Sequence, residues 1–160
     1  METYKDILNE TLGKLNRDKE KSYSIIRKRI LKTNVVNVKV AHIRPQYNNL
    51  KEWMDDKNNV YIGRGGIVFI DDVRFPKYDS FWGNPYKRGR DGNIDEVLEK
   101  YETHIINNLN SLEKEEAFLK LFHLMGKNLG CWCKDHTKGE IKCHGDVLLK
   151  LLHDAFACNL

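Results

Sequence analysis

The sequence predicts a small α/β domain, and three observations carry that prediction. The chain has 160 residues, 41% hydrophobic and 31% charged, the size and composition of one globular domain whose core needs no disulfide staples. Short β-branched runs alternate with longer segments of helical period. The apolar runs are short, Ile67-Val68-Phe69-Ile70 being among the longest, whereas a membrane span needs about 20 such residues. Strands alternating with helices favour a two-layer or three-layer sandwich around a mainly parallel or mixed sheet.

Residues 1–34 read as a basic helical extension and residues 35–160 as the single α/β domain. Ile7, Leu8, Leu12 and Leu15, then Tyr23, Ile26 and Ile30, recur at helical spacing between about Thr3 and Thr33. The net charge of +4 sits wholly here, with nine Lys and Arg against five Asp and Glu, while the remaining residues hold 18 of each sign. A nucleic-acid binder usually carries its basic footprint on the domain itself. A solvated charged helix is the simpler reading, with a nucleic-acid arm as the alternative, and deleting residues 1–34 is expected to leave the main domain folded.

Val36, Val38 and Val40 alternate with Asn37 and Lys39, as in a strand with one buried face. Residues 45–59 form a polar connection with a helical turn near Trp53, and Val60-Tyr61-Ile62 is a second strand running into Gly63-Arg64-Gly65-Gly66. Ile67 to Ile70 reads as a third strand or hairpin arm. Asp71 to Asp91, rich in Gly, Pro, Asp and aromatics, reads as a long irregular loop, and such loops are usually functional. A helix starting at Asn93 or Asp95 carries Val97, Leu98, Tyr101, Ile105 and Ile106 on one face. A second, from Ser111 as N-cap to Met125, carries Phe118, Leu121 and Phe122. Leu129 to Cys133 is a short strand, 134–142 a polar loop, and Gly145 to Phe156 the closing helix.

The chemistry-bearing residues cluster near the end. Cys131 and Cys133 are two apart on a strand, so their thiols share a face. Cys143 and His144 precede a strong helix, whose dipole favours a thiolate at its N-terminus. Three readings stay open. Cys131, Cys133 and Cys143 with His144 or His136 could hold zinc, although C-x-C is an unusual spacing. Alternatively Cys143 is a nucleophile or anion-site residue, His144 or Asp146 handles protons, and the strand cysteines line a pocket. In the third reading Cys131 and Cys133 are small, half-buried strand residues and His144 with Asp146 caps the helix. Cys158 is incidental. Met1 to Glu10 lacks the apolar stretch of a secretory signal, so four cysteines point to a reducing, intracellular setting.

Two further motifs can serve a ligand. Gly63, Arg64 and Gly65 follow a strand, so backbone can approach a ligand while Arg64 binds phosphate or carboxylate. Trp82, Gly83 and Asn84 could stack on and read a ring, with Arg88 and Arg90 holding phosphate. The same loop could instead simply cover the core.

Taken together, Val35-Val36-Asn37-Val38, Tyr61-Ile62-Gly63-Arg64-Gly65, Trp82-Gly83-Asn84-Pro85, Arg90-Asp91-Gly92, Leu129-Gly130-Cys131-Trp132-Cys133 and Cys143-His144-Gly145-Asp146 resemble domain-of-unknown-function family 4326. That family occurs in bacteria, archaea, phages and large DNA viruses, and the resemblance spans about Val35 to Ala155. The family pattern has a shorter, proline-containing loop where this chain has residues 134–142. The ending is also similar to a second uncharacterised family, in which Cys-x-Glu leads to Cys-His-Arg at a helix start. The resemblance implies a fold and a site, and no reaction. The combined expectation is a small enzyme or ligand-binding domain for a nucleotide-like or phosphorylated molecule. Its three loop motifs would meet at the strand ends, where open α/β sheets bind ligands. The alternative is a zinc-stabilised module whose partner is nucleic acid or protein; no membrane partner is expected.

Overall fold

A computed structural model of the protein describes residues 19–133 and 142–156. The elements, in chain order, are α1 (Lys19–Leu31), β1 (Asn34–Asn37), α2 (Val40–Ile43), α3 (Leu50–Asp55), β2 (Asn59–Tyr61), β3 (Val68–Ile70), β4 (Val73–Phe75), α4 (Ile94–Asn110), α5 (Lys114–Leu124), β5 (Asn128–Cys131) and α6 (His144–Ala155). The helix expected before residue 19, the loop over 134–141, His136 and Cys158 lie outside the described residues. Among the described residues, no helix is long and apolar enough to cross a membrane.

Three strands form one parallel sheet in the order β1-β5-β2. The pleat sends alternate residues to opposite faces, and both faces are covered. On one face Val35, Leu129, Cys131 and Ile62 pack with α1, α4, α5 and α6. On the other, Val36, Val38, Tyr61 and Trp132 pack with Ile43, Leu50 and Trp53. The fold is therefore a small mixed α/β sandwich of three layers, with two short helices as the thinner layer.

Several local expectations change. The first strand ends at Asn37, and Val40 opens α2 instead of continuing the alternation. Asn37 is buried, its Oδ1 accepting the Lys39 N–H at 2.8 Å, so this strand has no solvated face to announce it. The stretch after Asp71 is not wholly irregular, because β4 pairs antiparallel with β3. Their two-residue connection places Asp71 and Asp72 at φ of 50° and 62°, the left-handed turn that short polar residues tolerate. Ser111 does not start a helix. It ends α4, its Oγ donating to the Asn108 carbonyl, and α5 begins after Glu113. Asn93 caps α4 through a reciprocal box with Glu96, so the start expected there is a capped one.

Helix α1 is basic on its outer side, yet Ile26 and Ile30 are buried in the main core and Thr33 accepts the Gly126 N–H. The charge count sees only the solvated face. Ile30→Ala is accordingly expected to cost about 2–5 kcal/mol, as for a fully buried aliphatic side chain. A loss below about 1 kcal/mol in urea denaturation would instead support the separable extension read from the charges.

Candidate functional site

The site is built where β5 ends and α6 begins. Cys131 is the last residue of β5, and the strand alternation turns Cys131 and Cys133 towards α6 while Trp132 points to the opposite layer. Cys143 is the N-cap of α6. Its backbone N–H donates to Asp146 Oδ2 at 2.9 Å, and its sulfur accepts the Gly145 N–H at 3.3 Å. Gly145 allows this seating, because a Cβ there would lie 2.6 Å from Val35 Cγ1.

Three sulfurs and one imidazole meet here. Cys143 Sγ lies 3.0 Å from Cys131 Sγ and 2.9 Å from Cys133 Sγ, and Cys131 and Cys133 are 3.6 Å apart. His144 Nδ1 lies 3.7 Å from Cys133 Sγ and 3.8 Å from Cys143 Sγ. The other imidazole nitrogen, Nε2, is 2.7 Å from the Ile62 carbonyl and can only donate to it, which leaves Nδ1 of the neutral ring as the acceptor facing the sulfurs. Tyr101 packs edge-on against this ring at 5.2 Å. Cys131, Cys143 and His144 are buried, and Cys133 is exposed.

The electrostatics follow from that crowding. Hydrogen bonding from Cys131 and Cys143 holds the Cys133 thiol well below the usual thiol range, against the effect of burial. Bonds from Cys131 and Cys133 push Cys143 far up, and the Cys133 bond pushes Cys131 up to about 12. The group thus favours one thiolate, at its solvent-facing member, supported by two thiols. Burial raises Tyr61 to about 12, so its hydroxyl stays protonated.

A cavity of about 400 Å³ opens over the cluster at the C-terminal ends of β2 and β5. Cys133, Cys143 and His144 line it, and so do Gly63, Arg64, Asn84, Tyr86, Lys87, Arg88, Val97, Leu98, Trp132 and Lys142. Trp132 Nε1 donates to the Tyr61 hydroxyl at 2.7 Å, and that hydroxyl donates to the Arg64 carbonyl at 2.6 Å. This relay fixes the Gly63-Arg64 turn. A Cβ on Gly63 would fall 2.4 Å from the same Tyr61 oxygen.

The expected residues divide. Gly63, Arg64, Asn84, Arg88, Cys133, Cys143 and His144 line the cavity, while Cys131 completes the sulfur cluster beneath it. Trp82 does not: it is 5% exposed, its ring sits in the core against Phe81, and its carbonyl accepts the Tyr101 hydroxyl at 2.6 Å. Arg90 is drawn aside by Asp91 and the Pro85 carbonyl. Gly65 donates its N–H to Asp79, and Gly83 packs against the Ser80 and Gly63 backbone, so both shape the turns without lining the cavity. Asp146 serves the helix cap. Sequence reasoning missed Lys87, Lys142, Tyr86 and Trp132 as lining residues. Lys87 and Tyr86 adjoin Arg88, which was a usable signal, whereas Lys142 is placed by the fold alone.

No curated protein and no solved structure matches this chain. A family model does match, over residues 46–154, a span that begins after β1 and includes every residue of the cavity and the cysteine cluster. The chain belongs to the family described as domain of unknown function DUF4326.

Proposed function

We propose that this domain binds a phosphorylated, nucleotide-like small molecule in the cavity above the cysteine cluster. The supporting observation is the charge of its lining: among the described residues Arg64, Lys87, Arg88 and Lys142 are present and no carboxylate is. Lys142 is engaged by Asp95 at 2.9 Å. Arg64, Lys87 and Arg88 make no ion pair among the described residues, so their charge is available to an anion. Arginine suits that role because its planar fork matches phosphate oxygens two at a time.

The remaining walls fit the rest of such a molecule. Tyr86, Val97, Leu98 and Trp132 offer apolar surface, and a volume of about 400 Å³ lies in the usual range for small-molecule sites, roughly 300–1,000 Å³. Asn84 Oδ1 accepts the Tyr86 N–H at 2.9 Å, leaving its amide hydrogens for a ring acceptor. In this reading Asn84 keeps the orienting role, and Trp132 and Tyr86 replace the buried Trp82 as ring contacts. Cys133, Cys143 and His144 form the floor of the cavity, and Asp146 is committed to the cap.

The test is a thermal-shift screen of nucleotides and sugar phosphates on the wild type, Arg64→Ala and Arg88→Ala. At least one compound is expected to stabilise the wild type. Each arginine variant is expected to bind it about tenfold or more weakly, the loss of one charge-assisted contact of about 1.5–3 kcal/mol. A wild type stabilised by none of them, or an undiminished shift in Arg64→Ala, would overturn the reading.

A further inference from the structure

We propose that Cys131, Cys133, Cys143 and Nδ1 of His144 form a tetrahedral zinc site beneath the cavity. The inference stands on the ligand geometry and is independent of the anion reading. Zinc bonds of about 2.3 Å to sulfur and 2.0–2.1 Å to nitrogen set tetrahedral edges of about 3.6–3.8 Å. The Cys131–Cys133 edge at 3.6 Å and the imidazole edges to Cys133 and Cys143 at 3.7 and 3.8 Å match, while the imidazole edge to Cys131 is longer and has to close. The edges at 3.0 and 2.9 Å, both from Cys143, need to open by less than about 1 Å.

The imidazole is prepared for this role in the manner of metal-binding histidines. Its Nε2–H is held by the Ile62 carbonyl, which fixes the tautomer and aims the Nδ1 lone pair at the sulfurs. The Gly145 N–H bonded to Cys143 Sγ stabilises charge on that sulfur. Adjacent residues can serve together here because Cys143 is extended, with φ −135° and ψ 155°, while His144 begins the helix. The C-x-C spacing works for a related reason: the residue between the two cysteines turns into the opposite layer, so both sulfurs stay on one side.

Soft thiolates with one imidazole in tetrahedral array select zinc. Four protein ligands leave no open position, so the ion joins the end of β5 to the start of α6 and carries no substrate. Three thiolates around a divalent ion leave one negative charge, and Arg64 lines the cavity above it.

The experiment is elemental analysis of full-length protein prepared without a metal-affinity step and under reducing conditions. One zinc per chain is expected, and cobalt(II) exchange should give thiolate-to-metal charge transfer with the visible bands of a tetrahedral ion. Because Cys131→Ser risks unfolding a buried position, the exposed ligand is the decisive variant: Cys133→Ser should stay folded by circular dichroism and bind zinc at least about tenfold more weakly. His136→Ala should bind zinc as the wild type does. Protein that contains no zinc and gives no cobalt spectrum, a disulfide among the three cysteines in intact-mass analysis, or unchanged affinity in Cys133→Ser would each overturn the proposal.

Discussion

Tyr101→Ala is expected to destabilise the domain by about 3–5 kcal/mol, the range for removing a buried aromatic side chain. Tyr101 is fully buried in α4 and its ring belongs to the main core. Two further ties make it unlike other core aromatics. Its hydroxyl donates to the Trp82 carbonyl, which anchors the turn leading to Asn84, and its ring edge meets the His144 imidazole. Tyr101→Phe keeps the ring and leaves that carbonyl without its donor, so about 1–3 kcal/mol should be lost. Urea denaturation of the pair separates packing from hydrogen bonding. An alanine variant that loses under 1 kcal/mol would show that the core relaxes around the gap.

Gly130→Val should cost about 3 kcal/mol or more, at the upper end of overpacking effects. Gly130 lies in the middle strand, and a Cβ there would stand 2.4 Å from Trp53 Cη2 and 2.5 Å from Val38 Cγ1. Neither neighbour can yield, since Trp53 and Val38 are themselves buried in the second layer. The indole therefore approaches the strand closely because nothing projects from Gly130. The comparison is Leu119→Ala on the exposed side of α5, expected to change stability by no more than about 0.5 kcal/mol. Equal loss in both variants would refute the close approach.

How far the sequence could be read follows from which signals are local. Caps and helical stripes are local, so Asn93, the face of Val97, Tyr101 and Ile105, and the start of α6 at Cys143-His144 were legible. The meeting of Cys131, Cys133 and Cys143 was legible too, because strand alternation and a helix start both act over a few residues. The role of Trp82 was not. An indole beside glycine and asparagine looks the same whether it faces ligand or core, and only Tyr101, 19 residues on, decides between them. Arg90 was equally ambiguous until Asp91 and the Pro85 carbonyl claimed it. The first strand misled because the alternation is carried by Asn37, which is buried and accepts the Lys39 N–H, and by Val40, which opens a helix, so neither marks a solvated strand face.

The strand order carries a consequence for how the chain reaches this state. Among the described residues β1 and β2 pair only with β5, and the register sets Asn34 and Asn59 against the same residue, Asn128. During synthesis the two outer strands are therefore made long before the strand that joins them. Their unpaired edges must wait, and closing such distant contacts is slow. The cluster waits longer still, because His144 must find the carbonyl of Ile62 at the end of β2. A contact completed so late is expected to be largely absent from the folding transition state. Its strength should then appear as slower unfolding, with little change in the rate of folding.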